Sequence, residues 1–516
     1  MGKCWHGCET MTNYSGSIKQ RKPQVIQLYP HQQRDADALR IAFRTYRAVC
    51  YQLATGGGKT IIAGWLSQQM RERTLKILVL VHRRELIGQF HRTLKLAGLA
   101  ADVGVVCPGW PASPWAPIKL AMVFSWARRN IEFDPDFIIV DEAHHVRAET
   151  WLKVLAGYPN ARVLGMTATP KRLDGKPLNP PFEHLHCGPT SAELCAGGYL
   201  APVHVKRVPS SFRSKGLHRR RGDFVTGELD ARADEKFVGD CVTAYLKYLL
   251  GERTIIFCVS RRHARRTAER LREEGVAAAY VGSDTPQRQR DATFGAFASG
   301  GLEAVANVAL VDEGFDVPDC TAVMDTAATL SVTRFLQRIG RGRRPGDGKV
   351  MTYADLVGNT YRPGLGLPDA DRYWTIDGDE PNGEPTKREP KGDDLRCCTS
   401  CLTVFDPRHA FCPHCGVEHD GRPVREVDVE LVEATGGAPP PEEKPPPRMT
   451  SAERNALLAD CRRLVARGEP GQAWERLRTT ADEKGYDVAW ASILADHMKI
   501  PVTARALRPV SPESGS

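Results

Sequence analysis

No stretch of this sequence approaches the roughly 20 consecutive apolar residues that crossing a bilayer as a helix requires, so a transmembrane span is not expected. The opening residues, MGKCWHGCETM, lack the apolar run of a secretory signal, and they are neither Arg-rich nor amphipathic like a transit peptide. A cytoplasmic location is the expectation, with no membrane partner. Charge of one sign is also scarce: 71 Lys and Arg against 62 Asp and Glu give a net charge of +9, modest for 516 residues. That excess allows a surface that neutralises phosphates but does not by itself demand one. The 15 cysteines do not form the dense framework of a small secreted protein. Most stand singly in apolar stretches and read as buried, reduced thiols.

What is present is length and an α/β rhythm. At roughly 100–200 residues per domain, the chain predicts about three or four folded units. After a polar tail over residues 1–22, short apolar strands alternate with amphipathic helices to about residue 360, a pattern of parallel sheets covered on both faces. Strands are expected at Lys76–Val81, Phe137–Val140, Val163–Met166, Thr254–Val259, Glu303–Ala309 and Ala322–Asp325. A break near Gly197–Pro202 divides the pattern into halves at 23–200 and 201–364. Beyond lie a polar linker (365–395), a Cys-rich patch (396–420), a Pro-rich spacer (421–450) and a helical module with a disordered end (451–516).

The chemistry is concentrated in two places in the first half. Leu53–Thr60 reads LATGGGKT, between an apolar run and a helix opening at Lys59. Thr55, Gly56, Gly57 and Gly58 can turn backbone N–H groups toward a phosphate. The helix N-terminus adds its dipole, Lys59 neutralises the β- and γ-phosphates, and the Thr60 hydroxyl can ligate Mg²⁺. Leu53 replaces the first glycine of the general phosphate-loop pattern. Phe137–His145 reads FIIVDEAHH, a buried strand with Asp141 and Glu142 at its C-terminal end, where ligands of open α/β sheets bind. One carboxylate, Asp141, can hold Mg²⁺, and Glu142 can orient and deprotonate an attacking water.

Together with further blocks in the same order, these motifs resemble those of superfamily 2 helicases over about residues 25–360. LYPHQ (Leu28–Gln32) resembles the adenine-reading segment, which makes Gln32 the implied adenine contact. VHRRELIGQ (Val81–Gln89) is similar to the block that touches the nucleic-acid backbone, here through Arg83 and Arg84. MTATP (Met166–Pro170) resembles the segment that couples hydrolysis to strand binding, through Thr167 and Thr169. TIIFCVSRRHA (Thr254–Ala264) opens the second lobe. NVALVDEGFDVPD (Asn307–Asp319) resembles the block whose marked positions are Gly314 and Asp316. QRIGRGRR places Gln337, Arg341 and Arg344 at a cleft between lobes, where an arginine can stabilise charge on the transferring phosphate once the lobes close. The DEAH and TAT spellings, the ELCAGGYLAPV junction and the GFDVP block bring the resemblance nearest to type III restriction motors and RadD-like DNA repair helicases.

The resemblance implies two tandem RecA-like lobes with ATP and Mg²⁺ between them, a DNA strand crossing both, and a nuclease, repair or replication protein as partner. No nuclease motif is visible in the remaining sequence. An ATP-gated clamp and a motor acting on RNA remain open readings, as do unwinding and translocation.

CTSC (Cys398–Cys401) and CPHC (Cys412–Cys415) form two C-x₂-C pairs separated by ten residues. Four thiolates in a region too small to fold on apolar burial predict a Zn²⁺ ribbon, with Cys397, His409 and His414 as bystanders. Other clusters carry less. Arg219–Arg221 and the helix at Arg261–Glu273 read as solvated charge, and Trp490 with Leu494 as helical core.

Overall fold

The computed structural model describes residues 26–377, 395–418 and 451–483, apart from 112, 130, 147–148, 172–176, 221, 309–319 and 347. Gly314, Asp316, the Pro-rich spacer and the segment holding Trp490 and Leu494 therefore lie outside the described residues.

The first lobe contains α1 (Pro30–Thr45), β1 (Ala48–Gln52), α2 (Lys59–Arg71), β2 (Ile77–Val81), α3 (Arg84–Leu96), β3 (Val103–Val106) and β4 (Ile118–Met122). It continues with α4 (Val123–Ala127), β5 (Phe137–Asp141), α5 (Glu149–Ala156), β6 (Arg162–Thr167), β7 (His184–Cys187) and α6 (Ser191–Ala196). The seven strands form one parallel sheet in the order β3-β4-β2-β5-β6-β1-β7. Alternation along each strand fills two cores. Val49, Tyr51, Ile77 and Val79 face one side, while Ala48, Cys50, Leu78 and Leu80 face the other. Burial on both faces explains why these strands read as unbroken apolar runs.

The second lobe holds β8 (Val203–Arg207), the hairpin β9 (Arg219–Arg220) and β10 (Asp223–Phe224), α7 (Thr226–Arg232), α8 (Glu235–Tyr248), β11 (Thr254–Phe257) and α9 (Arg261–Glu273). β12 (Ala278–Val281), α10 (Gln287–Ala298), β13 (Ala304–Asn307), β14 (Ala322–Asp325), α11 (Val332–Gly340) and β15 (Met351–Asp355) complete it. Its parallel sheet runs β12-β13-β11-β14-β15-β8. The hairpin was not visible in the sequence, where Val208–Asp223 shows no period.

A buried ion pair sits at the end of β14. Arg338 Nη1 donates to both Asp325 oxygens at 2.9 and 3.2 Å, and the carboxylate also accepts from the Tyr353 hydroxyl at 3.0 Å and Asn359 Nδ2 at 3.1 Å. Truncating one member strands the other without water. Asp325→Ala is expected to lower stability by about 3–5 kcal/mol in chemical denaturation, and a loss under about 1 kcal/mol would show that the network contributes little.

Two small units follow. β16 (Arg396–Cys397) and β17 (Val404–Phe405) form an antiparallel ribbon docked on the edge strand β8. There Lys206 bridges to Thr403, the Arg207 N–H donates to the Leu402 carbonyl at 2.9 Å, and His204 Nε2 lies 2.7 Å from the Thr403 hydroxyl. α12 (Ser451–Ala466) and α13 (Pro470–Glu483) place Leu458, Cys461, Trp474 and Leu477 in the same apolar cluster as α8 and α9. No helix among the described residues is long and apolar enough to cross a membrane.

Candidate active site

Strand register sets the floor of the site. Gln52 at the end of β1 lies beside Thr167 of β6, and Met166 lies beside Asp141 of β5. The C-terminal ends of three adjacent strands thus carry the LATGGGKT loop, the TAT segment and the two carboxylates on one edge of the sheet, the usual ligand side of such sheets.

The loop depends on its glycines. Gly56 and Gly58 have φ of +89° and +94°, where a side chain would be strained, and a Cβ on Gly58 would fall 2.2 Å from Gln32 Nε2. Gln32 lies against the loop, accepting from the Tyr29 N–H at 3.0 Å and donating to the Gly57 carbonyl at 3.4 Å. Lys59 begins α2, and its Nζ donates to the carbonyls of Leu53 at 2.8 Å and Ala54 at 3.4 Å. Those contacts account for the missing glycine: the carbonyl at position 53 meets the lysine, while the Leu53 side chain is turned into the core. Thr60 follows on the first turn of α2 and is half-buried.

Burial lowers the Lys59 pKa, the nearby Glu142 and Asp141 charges oppose that shift, and the charge of Arg341 adds to it. Asp141 is driven the other way: burial and the Glu142 charge raise its pKa, and Lys59 counteracts them. Glu142 adopts a left-handed backbone at φ +51°, uncommon for a residue with a side chain. Its Oε2 lies 3.4 Å from His144 Nδ1, which in turn lies 3.0 Å from the Thr167 hydroxyl. Thr167 exchanges bonds with the Thr169 main chain at 3.1 Å, and the Thr169 hydroxyl donates to Thr333 on α11 at 2.9 Å. A hydrogen-bonded chain therefore runs from His144, which lies beside Glu142, across the gap between lobes. His144 was not singled out by sequence reasoning, although it is the fourth letter of the DEAH spelling.

From the second lobe, α11 brings Gln337, buried, and ends at Gly340 against the loop. A Cβ there would come within 2.4 Å of the Thr55 side chain. Arg341 and Arg344 follow on the turn after α11. Arg83 and Arg84 stand at the start of α3, just past the end of β2, and the neighbouring Glu85 pairs across the lobes with Arg290 at 3.3 Å.

In the ribbon the Sγ atoms of Cys398, Cys401, Cys412 and Cys415 all lie within 4.8 Å of one another, with Cys398–Cys415 at 3.4 Å and Cys401–Cys412 at 3.6 Å. A tetrahedron with Zn–S bonds of about 2.3 Å has edges of roughly 3.8 Å, so the cluster is compatible with zinc. The Cys397 thiol is turned away onto the Leu402 carbonyl at 3.5 Å, and the His414 ring packs on His204 with centroids 4.0 Å apart. Cys412→Ser is expected to reduce bound zinc from about one ion per chain to near none and to leave ATP turnover at least partly intact. Metal analysis beside an ATPase assay checks both, and full metal content in the variant would remove Cys412 from the ligand set.

Residues 25–172 match the family described as type III restriction enzyme, res subunit, and residues 240–346 match the helicase conserved C-terminal domain. A 51.5 kDa protein of a Lactococcus phage is 30% identical over 389 residues, covering 74% of this chain and 82% of that protein. The putative ATP-dependent helicase IRC3 of Saccharomyces cerevisiae is 26% identical over 65% of this chain, which spans about half (53%) of the yeast protein. Among solved structures, a fragment of a putative HsdR subunit of a type I restriction enzyme from Vibrio vulnificus shares the fold, with a TM-score of 0.51, 24% identity and 64% coverage of each chain. Fold, cleft and relatives define an ATP-hydrolysing, helicase-like motor with two parallel-sheet lobes of the RecA kind. The chain belongs to the superfamily 2 helicases of the restriction-enzyme-like type.

Proposed function

We propose that this protein is a DNA helicase or translocase that couples ATP hydrolysis between its lobes, 23–200 and 201–364, to movement on DNA. The observation carrying this reading is the convergence on one cleft of Lys59, Asp141 and Glu142 from the first lobe and α11 from the second, joined by the Thr167–Thr169–Thr333 bonds. The restriction-motor family to which residues 25–172 match supports DNA as the substrate over RNA.

In this reading Gln32 reads the adenine, while Thr55, Gly56, Gly57, Gly58 and Lys59 cradle the phosphates. Two adjacent carboxylates, one of them buried with its pKa raised, are a donor set that a divalent cation would relieve, so Mg²⁺ fits. Thr60 and Asp141 would hold it, and it supplies charge neutralisation to the β- and γ-phosphate oxygens when bound. Glu142 accepts the proton of the attacking water, with His144 beside its carboxylate. Arg341 and Arg344, with Gln337 behind them, stabilise charge on the transferring phosphoryl group. Thr167 and Thr169 pass the state of Glu142 to α11, and Arg83 and Arg84 hold strand phosphates without reading bases. By family resemblance Gly314 and Asp316 contribute to nucleotide binding. Cys398, Cys401, Cys412 and Cys415 hold a structural Zn²⁺. A nuclease or repair protein would supply any cutting.

ATP turnover is to be measured with single-stranded DNA, duplex DNA, forked DNA and RNA, beside a strand-displacement assay. Stimulation by DNA over RNA supports the proposal. Stimulation by RNA alone, or DNA binding with no turnover, overturns it.

A further inference from the structure

The basic run at the end of α11 contains a third arginine, Arg343, whose guanidinium is held by protein groups of the other lobe and the segment after residue 364. It is 3% exposed and reaches out of its own lobe. Its Nε donates to the Ala201 carbonyl at 3.2 Å, Nη1 to the Ser191 hydroxyl at 2.6 Å, and Nη2 lies 2.7 Å from Cys195 Sγ. Ser191 and Cys195 belong to α6, which packs into the first lobe through Leu194, and Ala201 lies between α6 and β8. The backbone repeats the link, because the Ala201 N–H donates to the Arg343 carbonyl at 2.9 Å.

The remaining partner of Arg343 is Asp369, 2.6 Å from Nη2. Asp369 sits in the stretch that reads in the sequence as a polar linker. Its described part is a strap between the lobes. Leu365 is buried in the second lobe's core, while Ile376 is buried in the first lobe's and its carbonyl accepts from the N–H groups of Leu178 and Asn179 at 2.7 and 3.0 Å. Between them Arg372 holds the strap in shape by donating to the carbonyls of Leu367, Pro368 and Ala370 at 2.9–3.1 Å.

The arginine-bearing turn is thus fixed from two sides. Gly342 lies against Met351 of the second lobe, where a Cβ would come within 2.5 Å of Met351 Cγ, and Arg343 is tied to the first lobe and the strap. Arg341 and Arg344 flank these anchors. We infer that Arg343 is a positioning residue for the reaction: it anchors the turn at the junction of the lobes, so that the reach of Arg341 and Arg344 into the cleft is set by α6 and Asp369. This inference rests on the role proposed above for Arg341 and Arg344. With its guanidinium bound to Ser191, Cys195, Ala201 and Asp369, Arg343 acts through its neighbours. A five-donor planar guanidinium suits a post with four separate partners, which a lysine could not satisfy together.

The test compares Arg343→Gln, Arg343→Lys, Asp369→Asn, Arg341→Ala and Arg341→Lys in the full chain, with ATP turnover, the KM for ATP and the melting temperature measured for each. Misplacement of about 1 Å far from the chemistry can cost on the order of 10²-fold. Arg343→Gln is expected to lower kcat by about 10- to 100-fold with KM changed less than about threefold, Arg343→Lys to recover part of the loss, and Asp369→Asn to give a smaller loss of the same kind. In an Arg341→Lys background, which keeps the charge and a measurable rate, Arg343→Gln is expected to cost far less than it does alone, as groups acting through one another do. Equal costs in both backgrounds, or a KM effect with kcat unchanged, would overturn the inference. Should Arg343→Gln fail to fold, Asp369→Asn takes its place in the same cycle. If Arg341→Ala itself leaves turnover intact, the cleft reading fails; if Arg341→Ala is inactive while Arg343→Gln and Asp369→Asn match the unaltered protein, only the role of Arg343 fails.

Discussion

Lys59→Ala and Glu142→Gln are each expected to abolish nucleic-acid-stimulated ATP turnover while the protein still melts as a folded molecule. The lysine is poised in a buried cradle, its ammonium on the carbonyls of Leu53 and Ala54 and within the field of Glu142 and Asp141. Placed on the phosphates it would supply fixed charge where water is excluded, and losing a preorganised donor of that kind costs about 10²–10³-fold in rate. Glu142 differs in kind. Its strained backbone and its approach to His144 fix a carboxylate whose proposed task is proton acceptance, worth about 10²–10⁴-fold. The glutamine keeps the shape and loses the basicity, so nucleotide binding should persist in Glu142→Gln. Steady-state turnover with saturating DNA, beside equilibrium binding of a fluorescent ATP analogue, checks the pair. Turnover unchanged in both variants would remove the assignment of roles.

Arg341→Ala is expected to lower kcat by about 10³–10⁵-fold, the range for an arginine delivered across a cleft to a phosphoryl group. The geometry behind the figure is the seat of α11, whose Gly340 leaves no room for a methyl group beside Thr55 and whose Thr333 bonds to Thr169. Hydrolysis then depends on the relation between the lobes, and bound nucleic acid can regulate it by changing that relation. Loss of turnover with nucleotide affinity held within a few-fold is the expected pattern. A reduction of less than tenfold would place Arg341 outside the reacting charge.

The architecture was legible because buried parallel strands announce themselves as apolar runs, and the ends of those runs carried the glycines and carboxylates. Strand limits shifted by a residue or two where capping and turns intervene: of the run expected at Glu303–Ala309, the described residues form a strand over Ala304–Asn307. Less visible were features whose meaning lies in long-range partners. Arg343 stands among Arg341 and Arg344 in a run of like residues, and nothing local distinguishes a guanidinium aimed at α6. Polar composition suggested a spacer after residue 364, yet two residues, Leu365 and Ile376, are enough to tie it to both cores. His144 was readable in principle, since its letter stands in the motif. Its link to Thr167 requires the register of β5 and β6, which a sequence does not print.

The seat of the cysteine ribbon has one more consequence. β8 ends the second sheet, and an uncovered end strand offers its backbone donors and acceptors to any passing chain, the usual route to edge-to-edge aggregation. Here Thr403 and Leu402 occupy that backbone, and a region this small has four clustered cysteines, compatible with zinc, in place of a large core to hold its shape. Chelation would therefore unmask a template for self-association, turning metal loss into a solubility defect well before it became a catalytic one.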